Sequence, residues 1–193
     1  MVDHLKFVFA SITTITEEEW LVLKPMLKIK KFKKNDYYLS SGEIEQQIGF
    51  ITKGSFKWFY INQKGEEVNF HFFFDQNFVV EYQSFLTQNP SQMFIQAMED
   101  TEVILLPKRK KILEFYAKSH NWERLGRIIS ESVYAETANR VQDFLFRTAE
   151  ERYINLLNQH PDIFQRVSLT NISSYLGIQG PSLSRIRKRL SKQ

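Results

Sequence analysis

Proline and glycine divide this chain at Pro107. Four of its seven glycines lie between Gly42 and Gly65, and none lies between positions 66 and 125. From Lys108 to Gln159 there is no proline and a single glycine, Gly126. Glycine supplies tight turns and proline interrupts helices. The first half can therefore turn back on itself repeatedly, and the second half can hold long helices.

The residue types agree with that division. Lys53-Gly54 and Lys64-Gly65 separate short runs at 47–52, 55–61 and 67–74. Further runs follow at 93–97 and 102–106, and ten of the 17 phenylalanines lie between Phe50 and Phe94. Aromatic and β-branched runs bounded by turn residues read as strands. The spacing predicts an antiparallel roll of about eight strands over 28–106. Before it, Thr16 and Glu19 form a capping-box pattern, and Pro25 ends the short helix that follows.

Beyond Pro107 the apolar period becomes helical. A short helix is predicted near 108–118 and a long one near 121–149, with Trp122, Leu125, Ile128, Ile129, Val133, Val141 and Leu145 at helical spacing. Ser132, Ala135 and Ala138 are small enough to let a second helix approach. Leu125, Ile128, Ile129, Ser132, Ala135 and Ala138 are therefore the candidate seam of a homodimer.

The segment after His160-Pro161-Asp162 reads as a separate unit. Ser168 is a candidate N-cap, Ile172 and Leu176 form one apolar stripe, and Leu183, Ile186 and Leu190 form another. Gly177 allows a left-handed turn between them, and Pro181 fits the first turn of a second helix. Helix, tight turn and helix make a helix-turn-helix. The expected organisation is α+β: a β-roll sensor domain over 1–118, a long dimerisation helix over 119–149, and a helix-turn-helix domain over 150–193.

Charge gives that last unit a purpose. The whole chain carries a formal +4. Residues 166–193 hold six basic side chains and no acid, leaving 20 basic and 22 acidic residues elsewhere. With Leu183, Ile186 and Leu190 facing inward, Ser182, Arg185, Lys188 and Arg189 face outward. Such a face suits double-stranded DNA, with Arg185 reading a guanine edge and Lys188, Arg189 and Lys192 meeting phosphates.

Other chemistries find less support. The absence of cysteine excludes disulfides, thiolate metal sites and cysteine nucleophiles, and fits a cytoplasmic setting. No run approaches 18 apolar residues, so no membrane span is expected. A cupin-type metal enzyme needs clustered histidines on its strands, and only His71 lies there. No catalytic residue, metal site or cofactor is assigned. The competing reading is a ligand-binding or protein-interaction module with no specific operator.

In order and spacing the chain resembles the Crp–Fnr family of bacterial transcription regulators. Ile51-Thr52-Lys53-Gly54 resembles the family's I-x-x-G turn, and Phe78-Val79-Val80-Glu81 its F-h-G-E segment. Ile172 through Arg185, with Tyr175-Leu176-Gly177 and Leu183-Ser184-Arg185-Ile186, resembles its helix-turn-helix. The resemblance implies a cyclic-nucleotide-type roll, a dimerisation helix and a DNA-binding output domain that works with RNA polymerase. It also marks departures. Val80 replaces a phosphate-contacting glycine, and Ser91-Gln92-Met93 replaces the R-S/T-A segment. Leu125 and Gly126 replace the residues that meet the base. No Arg or Lys occurs over 76–106, so cyclic AMP is not the expected ligand. Phe72, Phe78, Val80, Glu81, Tyr82, Ser91, Gln92 and Leu125 are the candidate lining of a pocket that takes some other effector.

Overall fold

The computed structural model describes residues 2–190. Eight strands occupy the first half: β1 (Lys28–Phe32), β2 (Tyr37–Leu39), β3 (Gly49–Lys53), β4 (Phe56–Ile61), β5 (Glu67–Phe73), β6 (Phe78–Val79), β7 (Phe94–Ala97) and β8 (Thr101–Leu105). They form two antiparallel sheets of four, ordered β1-β8-β3-β6 and β2-β7-β4-β5. The expected roll is present, and the five runs with read bounds match β3, β4, β5, β7 and β8 within about two residues. Phe32, Ile51, Phe56, Ile95 and Val103 are among the buried side chains that fill the space between the sheets. The I-x-x-G turn has a steric cause. Gly54 takes φ +105°, and a Cβ there would lie 2.7 Å from the Thr101 Cα.

Nine helices are described: α1 (Val2–Ile12), α2 (Glu17–Leu23), α3 (Tyr82–Thr87), α4 (Arg109–Lys118), α5 (His120–Phe146), α6 (Ala149–Gln159), α7 (Ile163–Arg166), α8 (Leu169–Leu176) and α9 (Gly180–Leu190). The Thr16–Glu19 capping box forms as read, and Pro25 sits in a 3-10 turn, Lys24–Met26, that closes α2. Helix α1 was not anticipated. It lays Leu5 and Phe9 against Trp20, Trp122, Leu125 and Ile129, forming a second core outside the roll.

The long helix ends earlier than its predicted bound of 149. Thr148 and Glu151 form a capping box that starts α6, so α5 stops at Phe146. The C-terminal unit is also less separate than the sequence implies. Phe72 and Phe74, from β5 and its C-terminal end, share one buried cluster with Tyr153, Ile163, Ile172, Leu176, Leu183 and Ile186. The helix-turn-helix thus completes its core with side chains of the roll.

Candidate nucleic-acid interface and the cavity behind it

Helices α8 and α9 owe their geometry to local chemistry. The Ser168 hydroxyl accepts from the Asn171 N–H at 3.2 Å, as its N-cap role requires. Gly177 ends α8 at φ +66°, and its N–H donates to the Ser173 and Ser174 carbonyls. Pro181 occupies the first turn of α9. Leu183 and Ile186 point inward and are buried, while Arg185, Arg187, Lys188 and Arg189 are exposed. Neither helix contains an acidic residue.

The outward cations differ in their partners. Arg185 Nη2 donates to the Ser182 hydroxyl at 3.2 Å, and the two stay together on the exposed face. Arg189 is paired with Glu150 of α6, and Arg187 lies over the Phe164 ring at 4.7 Å. Lys192 lies outside the described residues. Arg166, counted above with the basic segment, faces elsewhere. It pairs with Asp75 at 2.6 Å and Glu99 at 2.8 Å, and lies over Phe74. It ties α7 to the roll, so the exposed basic surface is smaller than the charge count of 166–193 suggests. Burial opposes ionisation of Asp75, but hydrogen bonds from the Gly54 N–H and Arg166 prevail and hold its carboxyl below the usual value.

Helix α8 docks on β5, an edge strand of its sheet. An edge strand presents unpaired backbone groups. The Ser174 hydroxyl accepts from the Asn69 N–H at 2.9 Å and donates to the Glu67 carbonyl at 2.8 Å. Tyr175 packs on Phe72, with ring centroids 5.2 Å apart.

Behind this contact lies a cavity of about 450 Å³, walled by the roll, α5 and the docked C-terminal unit. A bulge in β5 shapes its aromatic wall. Trp58 pairs with His71 but Phe59 with Asn69, which leaves Phe70 as the extra residue. Phe70, His71, Phe72 and Phe73 all line the cavity. Burial, followed by the charges of His160 and Arg140, pushes His71 down to about 4. The predicted pocket residues Phe72, Phe78, Val80 and Tyr82 are here. The other four lie elsewhere. Leu125 belongs to the core with α1, and Gln92 is exposed. Ser91 and Glu81 serve local structure.

Glu81 caps α3, accepting from the Ser84 N–H at 2.9 Å. Buried Glu45 sits beside it and accepts from the Glu81 N–H at 3.5 Å and the Gln47 N–H at 3.2 Å. Burial pushes the Glu45 carboxyl up to about 7, against the hydrogen bonds that favour its ionised form. Ser91, in the position aligned with the phosphate arginine, accepts from the Met93 N–H at 2.9 Å and stays in its own turn.

Arg140 was missed by the sequence reading. It continues the inward stripe of α5 through Trp122, Leu125, Ile129 and the half-buried Val133, which is a visible but unexpected place for a cation. Arg140 is only 7% exposed, and its Nη2 donates to the Tyr175 carbonyl. The six predicted dimer residues divide between faces of the same helix. Leu125 and Ile129 are buried in the chain's own core and are not offered to a second chain. Ile128 is half-buried, and Ser132 and Ala135 are exposed. Ala138, half-buried, continues with Tyr134, Val141 and Leu145 the face turned away from the roll; Tyr134 is 76% and Leu145 69% exposed.

Residues 29–119 match the model of the cyclic nucleotide-binding domain family. No curated protein matches the sequence. Solved structures share the fold. FixK2 from Bradyrhizobium japonicum aligns with TM-score 0.75 and 16% identity, over 86% of this chain and 85% of that one. A protein from Eubacterium rectale, described as a transcriptional regulator of the Crp–Fnr family, aligns with TM-score 0.72 and 11% identity, over 92% and 84%. The catabolite activator protein of Thermus thermophilus aligns with TM-score 0.56 and 15% identity, over 92% and 84%. Residues 29–119 thus carry a cyclic nucleotide-binding domain, and the chain as a whole shares the fold of these solved structures.

Proposed function

We propose that this chain, with its cyclic nucleotide-binding domain and the fold of Crp–Fnr regulators, is a non-enzymatic transcription regulator that binds promoter DNA as a homodimer. One observation carries the reading. Helix α9 is held by the turn at Gly177 and buries Leu183 and Ile186, and it presents four cations and no acid on its outer face. Such a helix enters the major groove with its side chains on base edges and phosphates. Ser182 and Arg185 are the proposed base contacts, and Lys188, Arg189 and Lys192 the phosphate contacts. Arg189 would exchange Glu150 for a phosphate. The partners are promoter DNA, a second copy of the chain and RNA polymerase, and the place is the cytoplasm.

The dimer seam is assigned to the exposed face of α5, through Ile128, Ser132, Ala135 and Ala138. A charge at its centre should disrupt it. Ala135→Glu is expected to halve the mass measured by sedimentation, and an unchanged mass removes α5 from the interface.

The cavity is proposed as the sensing site, with a ligand other than cyclic AMP. Two carboxylates, Glu45 and Glu81, occupy the start of α3, where a cyclic phosphate would need N–H groups and a cation. Calorimetry with cyclic AMP is expected to show no tight binding. A micromolar fit would overturn this.

Selection from a pool of random duplexes tests the main reading. A dimer of this design should enrich a two-fold symmetric sequence, its half-sites about one helical turn apart. If no motif is enriched, a ligand-binding or protein-interaction module without an operator becomes the better account.

A further inference from the structure

We infer that the cavity between the roll, α5 and α8 binds a small organic anion, its carboxylate or phosphate head on Arg140 and its apolar body against the aromatic wall of β5. The inference rests on reading the cavity as a ligand site and gives that site its chemistry.

The guanidinium of Arg140 lies between two rings, its Cζ 3.6 Å from the Tyr175 centroid and 4.4 Å from that of Phe144. Stacked in this way, it forms hydrogen bonds only in its own plane. Nη2 is used on the Tyr175 carbonyl. Nε and Nη1 are buried and have no hydrogen-bond partner among the described residues. No described carboxylate forms an ion pair with it. Asp143, one turn away, is paired with Arg147, and Glu136 lies 4.0 Å from His71. An isolated buried cation is costly, and two unmet donors add to that cost.

The surrounding groups favour an acceptor. Trp58 Nε1, also on the cavity wall, is a third buried donor without a partner. Every unmet buried atom on the described wall is thus a donor; the remaining one, Asn69 Oδ1, belongs to a residue outside the lining. Arg152 shares the Phe144 ring with Arg140 at 4.7 Å and adds positive charge to that end. Two carboxylates also line the cavity: Asp143 is paired with Arg147, and Glu136, mostly exposed, has its pKa raised by partial burial. His71 supplies a neutral ring beside it. Phe70, Phe72 and Phe73 offer flat apolar surface, and about 450 Å³ lies in the range of small-ligand pockets. The buried cation of this cavity stands on α5. There it also touches α8, so the anion would contact all three parts of the molecule.

Isothermal calorimetry on the full chain without DNA tests this with benzoate, phenyl phosphate and benzamide. One or both acids should bind at submillimolar concentration, and benzamide at least tenfold more weakly. The stronger acid identifies the head group. Arg140→Gln should weaken acid binding at least tenfold, and Arg127→Gln, on the exposed side of α5, should leave it unchanged. The inference is overturned if neither acid binds at millimolar concentration, if benzamide matches the acids, or if Arg140→Gln binds like the parent. If Arg140→Gln does not fold, Arg140→Lys and the acid–amide contrast on the parent protein decide. Because no DNA is present, failure here leaves the DNA-binding reading standing, whereas a failed duplex selection would not affect this result.

Discussion

Helices α8 and α9 are neighbours of similar length joined at Gly177, yet they face different partners. Helix α8, LTNISSYL, carries no charge and gives its surface to the protein: Ile172 and Leu176 to the core, Ser174 to the backbone of β5, and Tyr175 to Phe72 and Arg140. Helix α9, GPSLSRIRKRL, carries four cations; it buries Leu183 and Ile186, rests Arg187 on Phe164 and Arg189 on Glu150, and keeps its cationic face exposed. One helix holds the unit in place, and the other presents an exposed cationic face, the proposed DNA contact. Damage to α8 should therefore appear as lost stability, and damage to the outer face of α9 as lost DNA binding.

The largest effect expected on that contrast is at Ile172. It is fully buried in the cluster shared by α8 and the roll. Ile172→Ala should lower unfolding free energy by about 2–5 kcal/mol in urea titration. A change below about 1 kcal/mol would mean that the unit does not depend on this core.

Arg185 tests the other helix. Arg185→Ala should weaken binding to the selected sequence by about 1–3 kcal/mol and leave the unfolding midpoint unchanged. An equal loss on random DNA would make Arg185 a phosphate contact. A shift in the midpoint would blur the division between the two helices.

The smallest effect concerns pH and falls on the docked side. His71 lines the cavity beside α8, and burial holds its folded pKa at about 4, below the usual histidine value of 6.5. Between these values the unfolded chain binds more protons. Stability should therefore be full above pH 6.5 and fall as the pH drops toward 4. Glu45 acts in the opposite sense, since its raised pKa of about 7 makes stability fall as pH rises from 4.5 to 7. Substituting each residue separates the two. His71→Gln should flatten the acid limb of the melting-temperature profile, and an unaltered limb would place the titrating group elsewhere.

The contrast also marks what the sequence makes legible. Thr16, Ser168, Gly177 and Pro181 act through atoms within four residues, so their roles follow from local chemistry. Five strands, β3, β4, β5, β7 and β8, were equally readable, because turn glycines and aromatic runs bound them, whereas β1, β2 and β6 were counted but not placed. Helix α1 was missed although Leu5, Phe9 and Ile12 have helical spacing, since no cap announces it among the residues read. The end of α5 was overrun because the Thr148–Glu151 box falls inside an apolar pattern that continues beyond it. Long-range partners were illegible. Nothing local shows that Arg166 reaches Asp75 and Glu99, that Arg189 meets Glu150, or that Leu125 and Ile129 serve the chain's own core. Arg140 left one trace, a cation on an apolar stripe, and its unmet donors become visible only when α8 is docked.

The account stands on α9 as a DNA-binding surface. Fluorescence anisotropy of the full chain on the selected duplex, titrated from 50 to 200 mM salt, tests it most directly. A dimer placing about six cations on phosphates should lose roughly a thousandfold in affinity across that range. A flat salt dependence, or no binding at the lowest salt, would contradict the account.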